Sequence, residues 1–164
     1  MKIVLCLIIL CASSYVGFTV SGAYKRKVRL YEDLLLFCGR VKSQIAYFQS
    51  RLFDILAETD CGGAEFRRLC GETKDAVASG RNPLLDASAV SEICGVSLSD
   101  GGTIAGFFEA LGGSDGKNQQ AVISGYENIF SARLTAARGE LKTKGGLSGK
   151  LGVFVGLFVV ILCL

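Results

Sequence analysis

The chain has 164 residues, 18 Lys and Arg against 15 Asp and Glu, a net charge of +3 and no histidine. The absence of imidazole excludes histidine general bases, serine-histidine triads and histidine metal ligands. Half of the residues are hydrophobic and the excess sits at the two ends, which leaves about 120 residues from Lys25 to Lys144 for one small domain with its own core.

From Ile3 to Tyr24 there is no charged residue, and Lys25, Arg26, Lys27 and Arg29 follow. A run of that length reaches the roughly 20 residues that span a bilayer. A cleaved signal peptide is the competing reading, with Lys2 as its basic end, Ile3 to Leu10 as its apolar stretch and Ser21-Gly22-Ala23 as the cleavage site. The basic cluster opposes it, because positive charge after an apolar segment resists translocation. Cys6 and Cys11 follow Leu5 and Leu10, where lipoprotein processing would need small residues.

Val28 to Leu56 is the strongest helical signal. Tyr31, Leu34, Cys38, Val41, Ile45, Phe48, Leu52 and Ile55 recur at steps of three and four, with most polar residues on the other side. From Asp60 to Gly113 glycines and Pro83 break the pattern into apolar patches around Phe66 and Leu69, Ala76 to Ala78, Val90 to Val96, and Ile104 to Leu111. Short helices fit these patches, with Asp86 and Asp100 at expected N-caps. Cys38, Cys61, Cys70 and Cys94 could form two disulfides in an exported domain. In a cytoplasmic domain they are small core residues, the reading favoured here.

The second long helix covers Val122 to Leu141, with Val122, Ile123, Tyr126, Ile129, Phe130, Leu134, Ala137 and Leu141 on one face. Gly112 and Gly113, then Ser114 or Asp115, mark its start. Arg138, Lys142 and Lys144 ahead of Gly145 and Gly146 mark its end. Leu151 to Leu164 then carries no charge, and counting from Gly145 gives a segment of roughly 30 Å with only Lys150 inside, able to snorkel. We read residues 145–164 as a second anchor; a buried core helix is the alternative.

The fold expected is therefore all-α: a bundle of about six helices, two long and four short, over residues 25–144, between transmembrane helices at 1–24 and 145–164. Basic residues flank the domain on both sides, which places it in the cytoplasm. Ser13, Gly17 and Ser21 in the first span, and Gly149, Gly152 and Gly156 in the second, give small faces on which the spans could pack as a hairpin.

Catalytic chemistry finds no foothold in this pattern. No two cysteines form a CxxC pair. Gly149-Lys150 and Gly116-Lys117 lack the upstream glycine of a phosphate loop, and Leu151 and Asn118 replace its hydroxyl. Glu32, Asp33, Glu127 and Glu140 read as solvated helix faces. The positive charge lies at the membrane edges, so phospholipid headgroups suit it better than nucleic acid. No enzyme, cofactor, metal or small-molecule substrate is expected.

Gly17-Phe18, the basic run Tyr24 to Arg29, Leu36 through Ile45-Ala46-Tyr47, Leu111-Gly112, Ser114-Asp115, Asn118-Gln119 and the helix through Lys142 into the apolar end stand in a telling order. Together they resemble the stage III sporulation protein AB family of endospore-forming bacteria. The family pattern has Pro-Leu where this chain has Arg51-Leu52, and the middle from Asp60 to Gly102 matches loosely.

The resemblance implies a membrane component of the channel-like complex between mother cell and forespore, on the mother-cell side of the outer forespore membrane. It implies a cytoplasmic bundle similar to the platform proteins of type II secretion and type IV pilus machines. Its partners would be the sporulation AA-type ATPase and other membrane components of the complex. Two further readings stay open: a platform of an ordinary secretion or pilus system, and an exported, disulfide-stapled helical domain. For the ATPase-facing surface, the exposed polar faces of the long helices are the candidates, around Arg40, Gln44, Arg133 and Glu140.

Overall fold

A computed structural model of the protein describes residues 2–48, 62–80, 85–113 and 116–146, together with Phe154 and Phe158. Within its helices, side chains are described from Ala12 onward, apart from residues 13, 14, 16, 45–48, 112, 113 and 116–118. Among the described residues there are five α-helices and no strand: α1 Lys2–Phe48, α2 Ala64–Ala78, α3 Ala87–Cys94, α4 Leu98–Gly113 and α5 Gly116–Glu140, followed by a π-helical turn at Leu141–Gly145. The chain divides into a core unit, residues 29–134, and a terminal unit made of residues 1–28 and 135–164.

The core unit is organised on α1. Leu30, Tyr31, Leu34, Phe37, Cys38 and Val41 are all buried, so the spacing of Tyr31, Leu34, Cys38 and Val41 did mark the inward face. Phe37 sits against Phe66 of α2 and against Phe107 and Phe108 of α4, with ring centroids 5.7 to 6.1 Å apart. Phe107 in turn touches Tyr126 and Phe130 of α5 at 5.4 and 5.3 Å. Edge-on and tilted ring contacts of this kind add to the burial of large apolar area. The core is thus aromatic at its centre and aliphatic around it.

Among the described residues three short helices lie between the two long ones. The patches at Phe66, Leu69 and Ala76 to Ala78 belong to one helix, α2, because Gly71 continues the helix and only Ser79 and Gly80 end it. The N-caps also differ in part from expectation. Asp86 does precede α3 in an extended conformation. Asp100 lies within the first turn of α4, and the cap is Ser97, whose Oγ accepts the Asp100 amide at 3.1 Å. Ser114 and Asp115 lie outside the described residues.

α3 packs on α4 so closely that a glycine is required at the crossing. A Cβ on Gly101 would stand 2.5 Å from the Ala87 carbonyl oxygen and 3.0 Å from the Ser91 amide nitrogen. Backbone atoms cannot yield as a side-chain tip can, so Gly101→Ala is expected to destabilise the core unit by about 1–3 kcal/mol. Gly102→Ala is the control. Its Cβ would meet only the Ala87 methyl at 3.7 Å, and the helix-propensity gain should leave urea midpoints equal or higher. Equal effects at the two positions would remove the packing explanation.

In the terminal unit, Gly17, Val28, Ala137 and Gly145 are buried. Gly145 and Gly146 do not form the left-handed helix end expected of them. Gly146 keeps right-handed angles, φ −68° and ψ −36°, and the backbone passes through the π-helical turn instead of a left-handed cap. The reason is proximity: a Cβ on Gly145 would lie 2.8 Å from the Leu141 side chain and 3.5 Å from the Cβ of Tyr24. Gly145 is there to let this turn approach α1, and Lys27 pairs with Glu140 at 3.5 Å beside it.

No helix among the described residues is long and apolar enough to cross a membrane. The first expected anchor lies in α1, where side chains are described in part, and the second lies mostly outside the described residues.

Candidate functional site

Asp33, Glu127 and Glu140, three of the carboxylates expected on solvated faces, have partners elsewhere in the chain. Asp33 accepts the Gly63 amide at 2.7 Å, which sets a carboxylate on the positive start of α2. Gly63 makes this approach possible, since a Cβ there would stand 3.2 Å from the Asp33 oxygen. Glu127 of α5 pairs with Lys42 of α1, and Glu140 with Lys27 and Lys144.

Of the four residues expected on a partner surface, Arg40 is exposed on α1 and Gln44, one turn on, is half-buried. Arg133 and Glu140 have internal duties. Arg133 reaches Asp100, 3.0 Å from its guanidinium to a carboxylate that is only 3% exposed. The Tyr31 hydroxyl is buried beside the same carboxylate without a hydrogen bond of good geometry. Burial, and then the Asp100 charge, push the Tyr31 phenol well above its ordinary range. A buried carboxylate is costly unless a cation meets it, so Arg133 fixes α5 to the start of α4. This cluster gave no signal in spacing, because Asp100 reads locally as a cap and its cation is 33 positions away.

Cys38, Cys70 and Cys94 are free and buried. Burial pushes each thiol up to about 12, from an ordinary 9.0. These three are core residues, as the cytoplasmic reading expected; Cys61 lies outside the described residues. Among the described residues no group of three or more Cys, Asp and Glu is placed to hold a metal ion.

The most informative surface is in the terminal unit. Tyr15 is 71% exposed and Phe18 66%, and Phe154 and Phe158 are 67% and 64% exposed. Large aromatic side chains facing outward in number mark a surface made to meet something apolar. Of the expected membrane-packing residues, Gly17 is buried and Ser21 half-buried. Gly149, Gly152 and Gly156 lie outside the described residues, as does the side chain of Ser13.

A family model described as stage III sporulation protein AB matches residues 2–164. The chain belongs to that family. The stage III sporulation protein AB family is a sporulation family and is not known as an enzyme family. Its model covers both ends of this chain as well as the loosely patterned middle, so the resemblance seen at the two ends extends throughout. No curated protein and no solved structure matches the chain.

Proposed function

We propose that this chain is a non-enzymatic membrane platform of the sporulation channel complex, anchored at both ends and docking a cytoplasmic ATPase onto the membrane assembly. The outward-facing Tyr15, Phe18, Phe154 and Phe158 carry the membrane half of this reading. A water-soluble bundle would bury such side chains, whereas lipid tails accept them at no cost in hydration. Exposed Lys25, Arg26, Lys142 and Lys144 are the cations that keep the intervening residues on the cytoplasmic side. The docking half rests on family membership together with a helical core unit whose carboxylates and arginines serve packing.

Topology is tested by thiol labelling. Cys70 is a poor probe, because its thiol is 5% exposed and held protonated. Ala89, exposed on α3, is a good one. Ala89→Cys in a background with Cys6, Cys11, Cys61 and Cys163 replaced by alanine is expected to resist an impermeant thiol reagent in intact sporulating cells and to react after lysis. Labelling before lysis would put the core unit outside. Docking is tested by fractionation: without this chain the AA-type ATPase should leave the membrane fraction, and its retention there would refute the docking role.

A further inference from the structure

The two units differ sharply in charge. Residues 1–28 and 135–164 contain eight Lys and Arg against a single acid, Glu140, a net charge of +7, while residues 29–134 contain ten against fourteen acids, a net charge of −4. The excess of cations is also gathered at one level of the terminal unit. Gly145 lies against Tyr24, and Glu140 pairs with Lys27. These contacts set the two chain segments antiparallel, with Lys25 and Arg26 level with Lys142 and Lys144. All four side chains are exposed. Glu140, held by Lys27 at 3.5 Å and Lys144 at 3.8 Å, offsets only part of this charge. About one to three turns further toward the N-terminus of α1, Val20, Phe18 and Tyr15 face outward.

We propose that Lys25, Arg26, Lys142 and Lys144 form a binding belt for anionic phospholipid headgroups, selecting phosphatidylglycerol-type lipids over zwitterionic ones. The inference rests on the membrane reading given above and deepens it. The arrangement suits an interface: aromatic and aliphatic side chains enter the acyl region while the ammonium and guanidinium groups, on long apolar stems, meet phosphodiester oxygens at its edge. A headgroup with a net negative charge gains from every cation in the belt. In a choline lipid the quaternary ammonium cancels that gain. The belt exists only when both chain segments are paired, so selection belongs to the folded terminal unit and not to either basic run alone.

The chain has no tryptophan, so Phe18→Trp introduces a single reporter. The full chain carrying it is reconstituted in vesicles of phosphatidylcholine and phosphatidylglycerol, with one lipid or the other brominated as the quencher. At equal mole fraction, brominated phosphatidylglycerol should quench about two- to fivefold more strongly than brominated phosphatidylcholine, and the preference should vanish in ~0.5 M salt. Lys25→Gln, Arg26→Gln, Lys142→Gln and Lys144→Gln combined should abolish it. Lys25→Arg, Lys142→Arg and Lys144→Arg should retain it, which separates charge from a fold lost in the glutamine variant. Equal quenching by both lipids with the native belt would overturn the selection and leave the membrane reading intact. No quenching by either would remove the membrane reading, and the belt with it. Loss of the preference on adding glycerol phosphate at constant ionic strength would make this a site for a soluble phosphate, and would equally overturn the headgroup proposal.

Discussion

Phe107→Ala is expected to cost about 3–5 kcal/mol of core-unit stability, the range for emptying a buried aromatic site. Phe107 is fully buried and is the ring that joins three helices, meeting Phe37 of α1 at 6.1 Å and Phe130 of α5 at 5.3 Å from its own place on α4. Alanine leaves a cavity walled by Phe37, Phe108, Tyr126 and Phe130, and rings in three different helices cannot collapse into it together. Against a total stability of about 5–15 kcal/mol for an ordinary domain, that loss is a large fraction. Urea unfolding of the full chain in detergent, followed by far-UV circular dichroism, measures it. Phe107→Leu, which keeps most of the volume, should cost under about 1.5 kcal/mol. Ile129→Ala, at a site 42% exposed, should stay within about 0.5 kcal/mol. A Phe107→Ala midpoint no lower than that of Ile129→Ala would show that the aromatic cluster is not the centre of the fold.

Alkaline conditions should unfold the core unit through its thiols. Cys38, Cys70 and Cys94 hold their protons to about 12 when folded and release them near 9.0 when unfolded. A raised folded value means that the stabilisation is complete below pH 9 and is lost as pH rises toward 12, because the unfolded chain binds fewer protons across that window. Each thiol contributes a slope approaching ~1.4 kcal/mol per pH unit, so three together approach ~4 kcal/mol per unit. Tyr31, raised by burial and by Asp100, adds in the same direction above pH 10. Urea midpoints should therefore be flat from pH 7 to 8.5 and fall steeply beyond pH 9. The combined Cys38→Ala, Cys70→Ala and Cys94→Ala variant will start lower in stability, but its slope between pH 9 and 10 should be shallower. An unchanged slope would show that the thiols are not the groups responsible.

The amphipathic faces of the two long helices could be read from spacing alone, and their limits are instructive. Tyr31, Leu34, Cys38 and Val41 are buried as their periodicity requires, yet so are Leu30 and Phe37. Helix α1 is covered from more than one side, and a single stripe underestimates the arc buried by α2, α4 and α5 together. On α5, Ile123, Phe130, Leu134 and Ala137 are inside, whereas Ile129 is turned to solvent. Phe107 and Phe108 are adjacent and both buried, so whether a neighbouring pair such as Ile129 and Phe130 is buried once or twice is decided by the helices around it. Asp33, Glu127 and Asp100 were legible as charges but not as fasteners, since their partners lie 30, 85 and 33 positions away. Ser97 was within reach, because Ser97 and Asp100 stand at the spacing of a capping pair. The aromatic exterior of the terminal unit lay hidden in an apolar run, where hydropathy says nothing about which side chains face outward.

The π-helical turn at Leu141–Gly145 works as a phase adjuster. An α-helix turning about 100° per residue would bring Lys144, seven residues on, round to the face of buried Ala137. The wider turn takes up one extra residue, so Gly145 arrives there against Tyr24 and Lys144 stays 64% exposed. A regular α-helix over the same residues would send an ammonium group where only a hydrogen atom fits. Removing one residue from the turn would let it close to α geometry with Gly145 still on that face, whereas straightening it without a deletion would not.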